Sequence, residues 1–183
     1  MKMLNVGLVA MLMVMAAPLA ANAEETTCRG TIGARTVDNL RVPQGASCAL
    51  NGTKVKGTVK VQRRARLRAT SVRVIGNVQA ENAASVVLRN SKVGGSVQIV
   101  QGGRARVLSS NVGDDILFDE QRRSLAANRN EIGGSLQAFQ NTGGLEIFRN
   151  RIDGNLQCKE NTPPPTGGRN IVQGNKEDQC RGL

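Results

Sequence analysis

The chain of 183 residues carries 25 Lys and Arg against 14 Asp and Glu, a formal net charge of +11, and it has no His, Trp or Tyr and only three Phe. Without histidine the commonest general base and metal ligand are missing, and without aromatics so are most platforms on which nucleic-acid bases stack. A core drawn from this composition must be built of Val, Leu, Ile and Ala.

In chain order, Lys2 leads into an apolar run from Met3 to Ala17, then Pro18, and closes on the small-residue triplet Ala21-Asn22-Ala23. This pattern predicts a secretory signal over residues 1–23, cleaved after Ala23, which leaves a chain of charge +10. The competing reading is an uncleaved anchor, since the run approaches the length of a spanning helix. Cys28, in ETTCRG, lies too far along for lipid attachment, and no second spanning stretch follows. The expectation is an exported protein, periplasmic, cell-surface or extracellular, with no membrane span once the leader is gone and a single domain over residues 24–183.

Beyond the leader the sequence repeats. IGGSLQA at 132–138 returns as IDGNLQC at 152–158, and the shared anchor position recurs at Asp38, Gly57, Gly76, Gly95, Asp114, Gly134, Gly154 and Gly174, at intervals of 19 and then 20 residues. A period held this long marks a solenoid. Around each anchor the apolar residues alternate, as in Val55-x-Gly57-x-Val59-x-Val61 and Val93-x-Gly95-x-Val97-x-Ile99, which predicts a strand with one buried face. A second alternating run follows in each unit: Ala65-x-Leu67-x-Ala69, Ala84-x-Val86-x-Leu88, Ala105-x-Val107, Leu125-x-Ala127, Leu145-x-Ile147. A helix would need its apolar residues to recur in a pattern of threes and fours, and no unit shows that pattern.

Two short strands and their turns cannot bury a core alone, so the units must stack, each strand pairing in parallel with its equivalent at ~4.8 Å per coil. The predicted fold class is all-β: a single-stranded parallel β-helix of 7–8 coils, right-handed by the chirality of parallel crossovers, with glycine at the anchor where the chain corners tightly. The left-handed hexapeptide form fits less well, because 19 and 20 are not multiples of six.

Registry of this kind turns sequence separation into adjacency. Asn130, Asn150 and Asn170 become an asparagine ladder, continued by Ser91 and Ser110 in the shorter coils, and Gln79, Gln98, Gln137 and Gln157 form an outward polar column. Cys28 and Cys48, 20 apart, and Cys158 and Cys180, 22 apart, read as disulfides stapling the two ends. A metal site is the alternative for the cysteines, but C-x-x-C spacing and histidine are both missing, and nothing calls for a metal or other cofactor. In the last unit Pro165, Gly167, Lys176 and Asp178 occupy inward positions, which predicts a polar cap, and NTPPPTGG at 161–168 reads as a stiff extended loop.

The basic residues are unevenly placed, with Lys54, Lys56, Lys60, Arg63, Arg64, Arg66, Arg68 and Arg73 in a stretch without a carboxylate. Stacking puts Lys54, Arg73 and Lys92 in one column and pairs Arg66 with Arg104 and Arg68 with Arg106 two coils apart. A cationic stripe is accounted for by an anionic partner polymer of the cell envelope or extracellular matrix; the bland account is that Lys and Arg keep a repetitive sheet soluble. No recognition motif supports sequence-specific binding of nucleic acid.

Asp114, Asp115, Asp119 and Glu120, followed by Arg122 and Arg123, form the one group resembling a catalytic centre, in the manner of β-helical polysaccharide lyases that bind Ca²⁺ and use an arginine base. The plainer reading is a charged turn with local ion pairs. No Ser or Cys nucleophile has a histidine partner, no phosphate loop is present, and the sequon Asn51-Gly52-Thr53 carries little weight.

The closing stretch GNLQCKENTPPPTGGRNIVQGNKEDQC, residues 154–180, resembles the last coils of small exported bacterial right-handed parallel β-helix repeat proteins of unassigned function, both cysteines included. That resemblance implies the fold and export and brings no catalytic residues with it. A looser similarity is to bactofilins, cytoskeletal β-helices that polymerise end to end. They lack export signals and disulfide caps, a difference that argues against filament building here. The leading expectation is a non-enzymatic structural or polyanion-binding protein; the runner-up is a lyase-like or glycan-binding β-helix centred on residues 114–123.

Overall fold

The structure, a computed structural model, describes residues 24–183, so the signal-peptide reading concerns residues outside those described. The chain winds through eight coils, each laying one strand on each of three parallel sheets, here called faces A, B and C in the order the chain meets them. Face A has nine strands because a final one, Lys176–Asp178, closes the end, while faces B and C have eight each. Every pairing joins a strand to its equivalent one coil away, for example Val78 with Val97 on face A, Val86 with Ala105 on face B and Val93 with Val112 on face C. The described residues form strands, turns and bends and no helix, as the apolar alternation requires.

The third strand per coil corrects the sequence reading. The run Val55 to Val61 is not one strand: it breaks at the anchor into Lys54–Val55 on face C and Val59–Val61 on face A. Inward and outward alternation survives the corner, since Val55, Val59 and Val61 are all buried while Lys56 is exposed, and so the pattern alone does not mark the bend. The reason for glycine also differs from the one expected. None of the anchor glycines is among those with positive φ. What excludes a side chain is the coil beneath: a Cβ at Gly95 would lie 2.1 Å from Asn77 Oδ1, and one at Gly134 would lie 2.3 Å from Asp115 Oδ1. Asp114, the exception within the stack, precedes the corner where Asp115 N donates to Ser96 Oγ at 3.4 Å.

The interior is a column of stacked aliphatic side chains, each fully buried one contributing ~1.5–3 kcal/mol before the entropy of ordering the chain is set against it. Volume is balanced between coils. Phe118, the one fully buried aromatic among the described residues, is paired in register with Ile99 on one side and Ala138 on the other.

Three polar ladders hold the corners. The expected one is present: Asn130 Nδ2 donates to Asn150 Oδ1 at 3.0 Å, and Asn150 Nδ2 donates to Asn170 Oδ1 at 3.0 Å. Ser91 and Ser110 extend it, since Ser110 N donates to Asn130 Oδ1 at 3.0 Å and Ser91 N to Ser110 Oγ at 3.2 Å. A second ladder, at the corner between faces A and B, runs through Gln121, Asn141, Asn161 and Gln179. It begins where the coil lengthens, because the added residue falls in that corner: Val100 pairs with Asp119 at an offset of 19, whereas Ala105 pairs with Leu125 at 20. A third follows the anchors, alternating long and short side chains through Asn39, Thr58, Asn77, Ser96, Asp115, Ser135 and Asn155.

Both disulfides form as expected, Cys28–Cys48 with Cα atoms 5.6 Å apart and Cys158–Cys180 with Cα atoms 5.2 Å apart. The cap also takes its expected register, with Gly167 on Ile147, Lys176 on Leu156 and Asp178 on Cys158. Cys180 is buried and Leu183 packs partly against the core, so the tail covers the end of the aliphatic column. Lys176 Nζ donates to the Leu183 carbonyl and ties that tail down.

Candidate functional site

On face B the outward positions of one column read Ser47, Arg66, Ser85 and Arg104, and those of the next read Ala49, Arg68, Val87, Arg106, Ala126 and Glu146. Arginine thus alternates with a small or apolar residue coil by coil, in both columns at once. Around the corner on face C, Lys54, Arg73 and Lys92 stack on successive coils without a spacer. The columns inferred from sequence stand as expected.

The first column opens onto a cleft of about 380 Å³ lined by Arg66, Ala84, Ser85, Gly103, Arg104 and Arg123. Its floor is made of small residues, and Gly103 is confined to glycine by space, since a Cβ there would lie 2.4 Å from the Ala84 carbonyl oxygen. Three arginines from three coils line this cleft, and no carboxylate is in the lining. Ion pairs among the described residues are Arg41–Glu25, Lys56–Asp38 and Lys159–Glu160, so none of the face B arginines is neutralised from within the chain. Arg106, two residues along the strand from Arg104, has its Nε buried with no hydrogen-bond partner.

Arg123 was missed by sequence reasoning, which placed it beside the acidic residues. The available signal was its offset of 20 from Gly103, the neighbour of Arg104. A second basic column was missed too. Arg129, Arg149 and Arg169 occupy left-handed corner positions between faces B and C, with φ of 56°, 56° and 58°, and the Arg149 and Arg169 guanidiniums lie 5.0 and 6.0 Å from the Phe148 ring centroid. Stacking on the ring offsets part of the repulsion between these neighbours.

The acidic group is divided by a strand. Asp114 and Asp115 lie in the corner before Ile116–Asp119, whereas Asp119 and Glu120 end it, about 13 Å further on for four extended residues. Asp115 belongs to the corner ladder, accepting a hydrogen bond from Ser135 N at 2.7 Å. Burial, and secondly the neighbouring Glu120 charge, raise the Asp119 carboxyl above its ordinary range. No group of three or more Asp, Glu, Cys or His among the described residues is placed to hold a metal ion. Elsewhere, the hydrogen bond and then the charge of Lys56 hold the exposed Asp38 below the usual carboxylate range.

A broader groove of about 710 Å³ runs along face A, where Lys60, Gln79, Gln98 and Leu117 form the outward row. The glutamines point outward as expected, and further along Gln137 Nε2 donates to Gln157 Oε1 at 2.9 Å and Gln157 to Glu177 at 2.8 Å. No helix among the described residues is long and apolar enough to cross a membrane.

The fold and its surface define a class: a parallel β-solenoid with disulfide-bonded ends and one cationic face. Compared with protein-family models, curated proteins and solved structures, the chain matches none.

Proposed function

We propose that the protein is an exported, non-enzymatic rod that binds an anionic polymer of the cell envelope or extracellular matrix through face B. The observation that carries this reading is the convergence of Arg66, Arg104 and Arg123 on one small-floored cleft without a neutralising carboxylate. Cations used only for solubility are held apart or paired, because gathering them costs repulsion without return. Lys54, Arg73 and Lys92, on the adjoining face C, widen the field and steer an approaching polyanion. Two disulfides suit an oxidising compartment and support the export reading, as does the likeness of residues 154–180 to small exported bacterial β-helix proteins.

Retention on a heparin column tests the reading. The expected result is elution at distinctly lower salt for R66A/R104A/R123A than for wild type, with no such shift for R129S/R149S/R169S, which removes the same charge elsewhere. Equal shifts for the two variants refute a dedicated face and leave only net charge.

A further inference from the structure

We infer that the occupant of face B is a linear acidic polysaccharide carrying one anionic group per disaccharide, lying along the solenoid axis; the inference rests on the polyanion reading above. Arg66 and Arg104 are separated by Ser85, and Arg68 and Arg106 by Val87, so each column presents a guanidinium every second coil, ~9.6 Å apart at 4.8 Å per coil. That repeat is about the length of one disaccharide in an extended glycan chain. A polymer with an anion on every sugar would meet a spacer at every other charge. Duplex DNA, with phosphates every ~3.4 Å along each strand, is denser still and fits less well.

Alternation is not imposed by the fold. Lys54, Arg73 and Lys92 stack on successive coils, and so do Arg129, Arg149 and Arg169, so this solenoid tolerates cations at the single-coil interval. The two-coil interval is particular to face B and appears in both of its columns in phase. Within a strand, Arg66 and Arg68 on coil three and Arg104 and Arg106 on coil five make a pair of basic rungs. Ser85 and Val87 between them carry no charge, and Ser85, in the cleft lining, offers a hydroxyl as a hydrogen-bonding group. Arg106 completes the second rung beside Arg104. Beyond it the row meets Ala126 and then Glu146, whose carboxylate repels an anionic chain and ends the site at the C-terminal side. Arg123, one coil past Arg104, lines the same cleft and adds a third positive charge to it.

The test uses the whole protein and soluble oligosaccharides in calorimetric titration at low salt. Hyaluronate oligomers, with one carboxylate per disaccharide, are compared with galacturonate oligomers of equal carboxylate number and with single-stranded DNA of equal charge. Wild type is expected to bind the hyaluronate series about fivefold more tightly than the galacturonate series, the effect of one or two well-placed exposed ion pairs. The variant S85R/R104S keeps net charge but closes the interval to one coil, and is expected to lose that preference. If wild type binds all three without discrimination, or favours galacturonate or DNA, the spacing inference is overturned while the polyanion reading stands. Absence of binding to any of the three overturns both. The wild-type comparison alone decides the matter should the double variant fail to fold.

Discussion

Replacing Asn150 with alanine removes four hydrogen bonds from one buried side chain. Its Oδ1 accepts from Asn130 N and Asn130 Nδ2, each at 3.0 Å, and its Nδ2 donates to the Ala127 carbonyl and to Asn170 Oδ1 at 2.6 and 3.0 Å. Alanine leaves two Asn130 donors without acceptors in a region water does not reach, and each orphaned donor costs ~1–3 kcal/mol. With the lost packing of the amide, the expected destabilisation is about 3–5 kcal/mol, a large share of the ~5–15 kcal/mol of an ordinary domain. Ser110 makes a smaller contribution, accepting from Ser91 N and donating to the Leu108 carbonyl, so S110A should cost about 1–2 kcal/mol. Asn155 accepts from the exposed Asn175 N, which water replaces, and N155A should cost under about 1 kcal/mol. Urea unfolding followed by far-ultraviolet circular dichroism, with disulfides intact and the denaturant slope unchanged, gives the comparison. If N150A falls within about 0.5 kcal/mol of N155A, the ladder is not what holds the corner and the reasoning fails.

Three further outcomes are expected. G95A, whose new methyl would displace the Asn77 Oδ1 that Ser96 N binds at 2.8 Å, should destabilise by ~1–3 kcal/mol, and N77A, which removes the crowding oxygen, should restore part of that loss; thermal melts of the four-member cycle read the coupling, and an additive result rejects the crowding argument. Removing the first bridge as C28S/C48S, a closed loop of 20 residues, should cost about 3 kcal/mol, whereas C158S/C180S should in addition make the tail from Gln179 onward susceptible to limited proteolysis. The raised pKa of Asp119 means that its native carboxyl is easier to protonate than in the unfolded chain, so the folded state is favoured below the ordinary carboxylate range and loses that advantage as pH rises through the folded pKa. D119N should therefore gain stability over wild type between acidic and neutral pH, and a gain that shrinks as pH rises would reverse the sign of the burial argument.

The coil period, the end-stapling cysteines, the Asn130-Asn150-Asn170 column and the arginine register were legible because stacking makes residues 19 or 20 apart neighbours, which needs no knowledge of side-chain angles. The break between Lys54–Val55 and Val59–Val61 was not, because alternation of buried and exposed residues continues unbroken around a corner. Asn141 and Asn161 carry the same 20-residue spacing as Asn130 and Asn150, but their column has no counterpart in the shorter coils, whose corner lacks the added residue. Arg123 is a different kind of omission: it enters the cleft from an adjoining column, and lateral reach is not written in a period. Asp115 looked like half of an acidic centre until its corner position, shared with Asn77, Ser96 and Ser135, showed that its carboxylate is occupied by a backbone N–H.

The account stands on face B residues one coil apart lying side by side, and disulfide trapping reads this directly. Ser85 and Arg104 are register partners at one coil, ~4.8 Å between Cα atoms and within bridging range, whereas Ala49 and Val87 are two coils apart, ~9.6 Å and beyond it. Peptide mapping without reduction should find the new bridge in oxidised S85C/R104C and none in A49C/V87C. A bridge between 49 and 87, or none between 85 and 104, would contradict the stacking from which the cationic face is built.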